Sequence, residues 1–468
     1  MLFNSLQYLF FFPIVTSLYF LVPYRSRWAL LLAASYFFYM SWVPAYAALI
    51  AASTLVTYAA TRGIGASGSP LTRKFFLALS LAANLGILFV FKYYNFFNDS
   101  LGAGLPAIKV LLPIGVSFHT FQAVGYTIEV YRGNFTPERH LGIFSLYNCF
   151  FPQLVAGPIE RPHHLLPQMH KEHAFEYGRV TDGLKLIAWG LFQKVVIADN
   201  LAGYVNSVYD QPEHYSGLPL LIATYLFAFQ IYCDFAGYTD IAIGSARVMG
   251  FDLMENFERP YFARSIPEFW RRWHISLSTW FRDYIYIPLG GNRVSVPRLC
   301  ANLLLVFFVC GLWHGASWTF VAWGGLHGMY MALSLLTRKW RVKAEGWAGM
   351  RLGALPVKAL QVFFTFNLVC LGWVFFRAKT LGQAWLVISG IFSASSAGPP
   401  EENPARLAFY FGLVLLLLLV QYVQRSVRVR DYIIKKPLPL RFAGYALVVL
   451  ATFFLGSFEG SDFIYFQF

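Results

Sequence analysis

From Leu299 to Thr337 the chain carries no Asp, Glu, Lys or Arg. As one helix rising 1.5 Å per residue this run would be about 58 Å long, far beyond a bilayer core of roughly 30 Å. It must therefore cross an apolar layer twice or bend. Gly311, Gly315, Gly324, Gly325 and Gly328 are the expected break points. The break nearest the centre falls on Gly311–Gly315, beside Trp313 and His314, so the run alone does not set the depth of His314.

Apolar stretches of similar character recur along the whole sequence. Spans are expected at Leu6–Val22, Ala29–Trp42, Ala45–Ala60, Phe75–Phe97, Gly142–Ala156, Leu184–Ala198, Leu218–Gly250 (long or broken), Val362–Phe376, Leu407–Tyr422 and Phe442–Leu455. Only 13% of residues are charged, against roughly 25% in a typical soluble domain. The chain reads as an all-α polytopic membrane protein with the lipid bilayer as its solvent. One integral-membrane domain, 1–468, is expected, with N-terminal helices over 1–110, a core over 111–337 and C-terminal helices over 338–468. Leu111–Tyr131 and Phe150–Arg161 contain Pro113, Gly115, His119, Pro152, Gly157 and Pro158. They read as short, broken or re-entrant helices lining a cavity.

Net charge is +14, yet nothing points to nucleic acid. The positive charge clusters beside spans: Arg25 and Arg27 after the first, and Arg62, Arg73 and Lys74 after the third. The loop after the second span, around Ser41 to Pro44, is uncharged, which places the N-terminus outside the cytoplasm. Loops near Arg338–Lys343 and Arg425–Lys436 repeat the bias; Ser395–Asn403 and the tail near Glu459 and Asp462 are expected to face out. The first span lacks a basic leader and an A-x-A site and reads as retained. The five cysteines form no CxxC pair and read as small core residues.

Two segments carry the candidate chemistry. The first is His314 in its uncharged run. An imidazole there is costly without a partner or a task, and its bland reading is a core histidine on a backbone carbonyl. The functional reading needs a neutral ring, which desolvation favours and which can take a proton from a hydroxyl. Flanking glycines would let a substrate approach that ring. The second segment is basic and aromatic, Arg264 to Arg293. Stepped as one helix over Trp270–Tyr284, it puts Trp270, Trp273, His274, Leu277, Phe281 and Tyr284 on one side and Arg271, Arg272, Thr279, Arg282 and Asp283 on the other. Such a helix is either a surface anchor or the wall of a wet cavity. Glu268 stands four residues before Arg272, a favourable helical pair.

Asp234 and Asp240 lie in an apolar run with Gln230. They read as partners of Arg271, Arg272 or Arg282, or as groups facing a cavity. His327 reads as core. The loop with His163, His164, His170 and His173 has no Cys or carboxylate at structural-zinc spacing, so no metal is expected. No G-x-S-x-G, G-x-x-x-x-G-K-[ST] or G-x-G-x-x-G is present, nor any His followed by Asp five residues on. A serine hydrolase and an ATP-driven pump are both unsupported.

Several long motifs resemble those of the membrane-bound O-acyltransferases, and within them the bacterial branch of the alginate O-acetylation membrane subunit. They are Phe269-Trp270-Arg271-Arg272-Trp273-His274-Ile275-Ser276-Leu277-Ser278, Trp280-Phe281-Arg282-Asp283-Tyr284, Gly290-Gly291-Asn292-Arg293 and Gly311-Leu312-Trp313-His314-Gly315. Leu112–Phe118, Phe151–Pro158 and Asp234–Asp240 fit the same branch, though Ala236-Gly237-Tyr238-Thr239 stands where relatives commonly carry serines. The resemblance implies about 11–14 transmembrane or re-entrant helices forming a ring around a thin tunnelled core. It implies that His314 is the catalytic base and that His274 orients donor or acceptor. Arg271, Arg272 and Arg282 suit a phosphate-bearing donor such as acetyl-CoA, with no permanently bound cofactor. Trp313, Asp234 and Asp240 complete the candidate binding set.

The implied activity is transfer of acetyl from the cytoplasm across the bacterial inner membrane toward hydroxyls of an exopolysaccharide (alginate, cellulose or similar). Transfer is direct or goes through a periplasmic partner of the SGNH-hydrolase type within a larger machinery. D-alanyl transfer to teichoic acid is the alternative within the class. A transporter, flippase or assembly scaffold is the alternative outside it; inverted repeats would mark a transporter, and none is evident.

Overall fold

The computed structural model describes all residues except 109–111, 156, 394–402, 426–435, 459–462 and 467–468. Every regular element among the described residues is helical. Among the described residues, seven helices are long and apolar enough to cross a membrane: Tyr46–Ala66, Pro70–Leu101, Leu218–Met249, Val296–His314, Ala354–Arg377, Pro404–Val423 and Leu438–Leu455. This is a multi-pass membrane protein. Leu6–Leu21 and Leu381–Ile391 are shorter apolar helices.

The expected spans coincide with helices, with instructive departures. Gly142–Ala156 breaks at Phe150, where Leu141–Cys149 ends and the short turn Phe151–Leu154 begins with Pro152 in its first positions. Proline at a helix start is tolerated because no intrahelical N–H is needed there. Leu184–Ala198 is α-helical only to Leu191 and then widens into a π-helix over Phe192–Ala198. Leu218–Met249, expected to be long or broken, is one helix of 32 residues. The basic residues Arg338 to Lys343 lie not in a loop but in a helix, Arg338–Leu352, whose Trp340 and Trp347 are exposed. Basic residues mixed with exposed tryptophans suit an interfacial helix. The stretch Ser395–Asn403 and the residues Glu459 and Asp462 lie almost wholly outside the described residues.

The chain forms two compact units, 1–191 with 237–255, and 192–236 with 256–468. The single long helix Leu218–Met249 contributes residues to both units.

In the first unit, backbones meet through glycine. A Cβ on Gly183 would lie 2.7 Å from the Gly244 carbonyl oxygen, and one on Gly190 would lie 2.5 Å from that of Gly237. Small residues let apolar helices approach closely where no water drives them together. Buried polar side chains there bond one another: Ser53 Oγ donates to Asn84 Oδ1 at 2.5 Å, and Asn84 Nδ2 donates to Thr57 Oγ1 at 2.9 Å. Of the four histidines expected on one loop, His163 and His164 lie in the short helix Pro162–Met169, and all four face separate partners. His164 Nδ1 donates to Glu160 Oε2 and His170 Nε2 to Glu138 Oε2, each at 2.7 Å, while His173 Nε2 donates to the Gln168 carbonyl and His163 lies 4.0 Å from Glu129. The Glu160 carboxylate holds the His164 ring above its ordinary range.

Candidate active site

The second unit builds the site on a helical hairpin. Val296–His314 follows Ser295 with Pro297 at its first positions. It ends at Gly315, which is extended and whose N–H donates to the Gly311 carbonyl at 3.2 Å. Ser317 then caps Trp318–Leu336, its hydroxyl accepting from the Thr319 N–H. The uncharged run therefore folds as two helices, of which Val296–His314 is long and apolar enough to cross a membrane, and His314 is the last residue of the first.

The hairpin is closed by glycine contacts. A Cβ on Gly311 would fall closer than 3.0 Å to the Phe320 carbonyl oxygen, and one on Gly324 would do the same to that of Phe307. Backbone cannot give way as a flexible side chain can. Gly324→Val is expected to cost about 3 kcal/mol or more through overpacking. Size-exclusion profiles of tagged protein from membranes should show little folded material, whereas Gly325→Ala, which meets nothing within 4 Å, should look like wild type. A normal Gly324→Val profile would mean the two helices are not so tightly crossed. At Gly315 the expectation is corrected: the space where a Cβ would stand is filled by the Phe320 ring and is not left open to a substrate.

His314 is buried. Its ring meets Trp313 and Trp323 edge-on, both at 4.9 Å between centroids, then Phe376 at 5.4 Å and Tyr465 at 5.6 Å. These aromatic rings surround the imidazole and hold its orientation by packing.

The basic aromatic segment is not one helix. Ile266–Arg272 stops, Trp273 is extended, and His274 adopts the left-handed region at φ 43°, ψ 56° before Ile275–Phe281 begins. A helical wheel over Trp270–Tyr284 therefore misassigns sides beyond Trp273. A non-glycine residue in this region costs of order 1–3 kcal/mol and persists only where its surroundings impose it. Asn256 imposes it here. Its Oδ1 accepts from the Ser276 hydroxyl at 2.6 Å and the Ser276 N–H at 3.2 Å, with His274 Nδ1 at 3.3 Å, and its carbonyl accepts from the Ile275 N–H. His274 is fully buried and packs on Phe235 at 4.7 Å, Trp313 at 6.0 Å and Tyr465 at 6.4 Å.

The two histidines thus share two neighbours, Trp313 and Tyr465. Tyr465 was not singled out from the sequence. The signal was present: Phe463-Ile464-Tyr465-Phe466 is an aromatic run, and Phe463 and Ile464 are buried. His327 is core, as read, its Nδ1 accepting from Trp270 Nε1 at 3.2 Å.

The arginines stand elsewhere. Arg272 is held by Glu268 at 2.6 Å, the helical pair expected from their spacing. Arg282 bonds its neighbour Asp283 at 2.7 Å, and Arg271 is exposed. Asp234 is not an arginine's partner: its Oδ1 lies 2.6 Å from Lys194 Nζ, and its Oδ2 accepts from the Ile464 N–H at 2.7 Å. Lys194 was hidden inside an expected span. Asp240 is half-buried on the same helix, six residues on and so about 120° around it from Asp234, and it belongs to the other compact unit.

Residues 139–364, which include Lys194, Asp234, His274 and His314, match the model of the MBOAT, membrane-bound O-acyltransferase family. A probable alginate O-acetylase of Azotobacter vinelandii is 39% identical over 90% of this chain and 84% of its own. The chain belongs to the membrane-bound O-acyltransferase family. A peptidoglycan O-acetyltransferase of Helicobacter pylori is 35% identical over 84% of this chain and 80% of its own. A teichoic acid D-alanyltransferase of Streptococcus thermophilus is 31% identical over 58% and 69%. The protein is a membrane O-acyltransferase, similar along most of its length to enzymes named for acetylating bacterial polysaccharides. Both buried histidines lie within the family-matched region, whereas Tyr465 lies beyond it.

Proposed function

We propose that this acyltransferase moves acetyl from cytoplasmic acetyl-CoA toward hydroxyls of an exopolysaccharide such as alginate or cellulose, with His314 as general base. The observation that carries the reading is the closed aromatic setting in which His314 and His274 share Trp313 and Tyr465. Acyl transfer from a thioester needs a base in a water-poor site, because water is the competing acceptor. His314 takes the proton from the acceptor hydroxyl as its oxygen attacks the thioester carbonyl. The carbon–sulfur bond then breaks, and the protonated ring returns its proton to the departing thiolate. His274, held by the Asn256 pin, orients donor or acceptor.

Arg271, exposed on its short helix, is the best placed of the three arginines for the donor's phosphates, since Arg272 and Arg282 already hold carboxylates. The enzyme sits in the inner membrane with its N-terminus in the periplasm, consistent with Arg25 and Arg27 following the first apolar helix. A periplasmic partner of the SGNH-hydrolase type receives the acetyl group or passes it to the polymer. Similarity to O-acetylating enzymes runs over more of the chain than similarity to a D-alanyl transferase, which favours acetyl.

The donor is tested in proteoliposomes given acetyl-CoA labelled on the acetyl group. Release of free thiol together with label transfer to an added polysaccharide or partner is expected. Label transfer only from a carrier-protein-bound D-alanine would replace this donor.

A further inference from the structure

We infer that Lys194, Asp199 and Asp234 form a docking post for the C-terminal segment, and that Asp234 is a positioning residue holding Tyr465 against the two histidines. Lys194 and the two carboxylates are all buried: Lys194 Nζ donates to Asp199 Oδ1 at 2.8 Å and lies 2.6 Å from Asp234 Oδ1. One cation thus faces two anions inside an apolar unit. A buried carboxylate needs further donors, and the backbone N–H of Ile464 supplies one to Asp234 Oδ2 at 2.7 Å. Tyr465 is the next residue, its ring 4.5 Å from Phe235, 5.6 Å from His314 and 6.4 Å from His274. Phe235 directly follows Asp234, so a single turn of Leu218–Met249 presents both the amide's acceptor and the ring's platform.

Two more bonds tie the same stretch to the same place. The Ser457 N–H donates to the Val195 carbonyl at 2.9 Å, and Asn200 Nδ2 donates to the Leu455 carbonyl at 2.8 Å. Val195 follows Lys194 in the π-helix Phe192–Ala198. A π-helix shifts bonding to i→i+5 and re-aims the groups on that turn, which is why such turns recur at functional sites. Here the turn serves the tail twice, through the Lys194 side chain and the Val195 carbonyl. The Ile464 side chain is buried, but the bond to Asp234 is made by its backbone N–H. The backbone amide is the ligand and the charge cluster is its receptor.

The inference rests on His314 and His274 being the reacting site, and its test separates the two ideas. In the full-length enzyme, Ile464→Pro removes the amide donor, along with fixing φ and changing the buried side chain, and leaves the buried charges intact; Ile464→Val keeps the donor and a similar side chain. Carboxypeptidase digestion in detergent, followed by intact mass, reads whether the tail is docked. Acetyl-transfer kinetics read whether docking matters. Ile464→Pro is expected to be trimmed back to Tyr465 at least about tenfold faster than wild type, with kcat lowered about tenfold or more and KM for the donor little changed. Ile464→Val should behave as wild type in both. Unchanged trimming of Ile464→Pro would overturn the docking post, whatever the fate of the histidine mechanism. Faster trimming with unchanged kcat would overturn the positioning role.

Discussion

His314→Ala lowers acetyl incorporation by about 100-fold or more at matched membrane levels, the effect expected on losing a positioned general base. The ring stands at a helix end between two tryptophans, Phe376 and Tyr465, and none of these four rings is a base at neutral pH that could take over proton transfer. Truncating a buried ring also opens a cavity, and a fall in stability of about 2–5 kcal/mol is the confounding effect to exclude. His314→Gln keeps more of the volume and still cannot cycle a proton at neutral pH. Both variants should be inactive, and His314→Gln should retain the wild-type melting temperature and partner binding. The readout is polymer acetyl content in cells, with thermal unfolding of the purified protein as control. Normal acetylation in a well-folded His314→Gln variant would sink the mechanism and bring the scaffold or transport reading forward.

Lys194→Ala has the largest expected effect on folding. It leaves Asp199 and Asp234 buried without the cation that both contact. Removing one member of a buried ionic cluster costs about 3–5 kcal/mol, because the remaining charge stays desolvated. Size exclusion should show mostly aggregated protein. Combining Lys194→Met with Asp199→Asn and Asp234→Asn removes the charges together and should recover much of the folded yield. Failure of that triple variant to recover yield would argue that shape, not charge, governs this part of the core. A single Lys194→Ala variant that folds normally would show that water or another cation reaches the carboxylates.

These outcomes also separate what could be read from the residues and what could not. The multi-pass class followed from composition, because a backbone buried in lipid must bond itself and long apolar runs leave only helices. The break beside His314 followed from length: an uncharged run too long for one crossing must turn, and it turns beyond the glycine nearest its centre. The pair Glu268–Arg272 followed from helical spacing, since it is local. His274 was found as a residue but not as a conformation. Its left-handed backbone depends on Asn256, eighteen positions earlier, and no periodicity reports a bond across that separation.

The same holds more strongly for Asp234. Its charge in an apolar run announced a partner, and the arginines nearby in sequence were the natural guess. Lys194 won because a π-helical turn carries it to the carboxylates, and helical type is set by packing, not by propensity. Tyr465 is the furthest case: a short aromatic tail has no period to read, and its place beside the histidines goes with the Ile464 amide on Asp234 and with its own ring on Phe235. The sequence by itself therefore determined the solvent and the all-helical, multi-pass class, because these rest on local hydrophobicity and length. Only the tertiary structure decided what surrounds those histidines, because side chains brought together from distant helices obey contact and desolvation, which leave no regular trace along the chain.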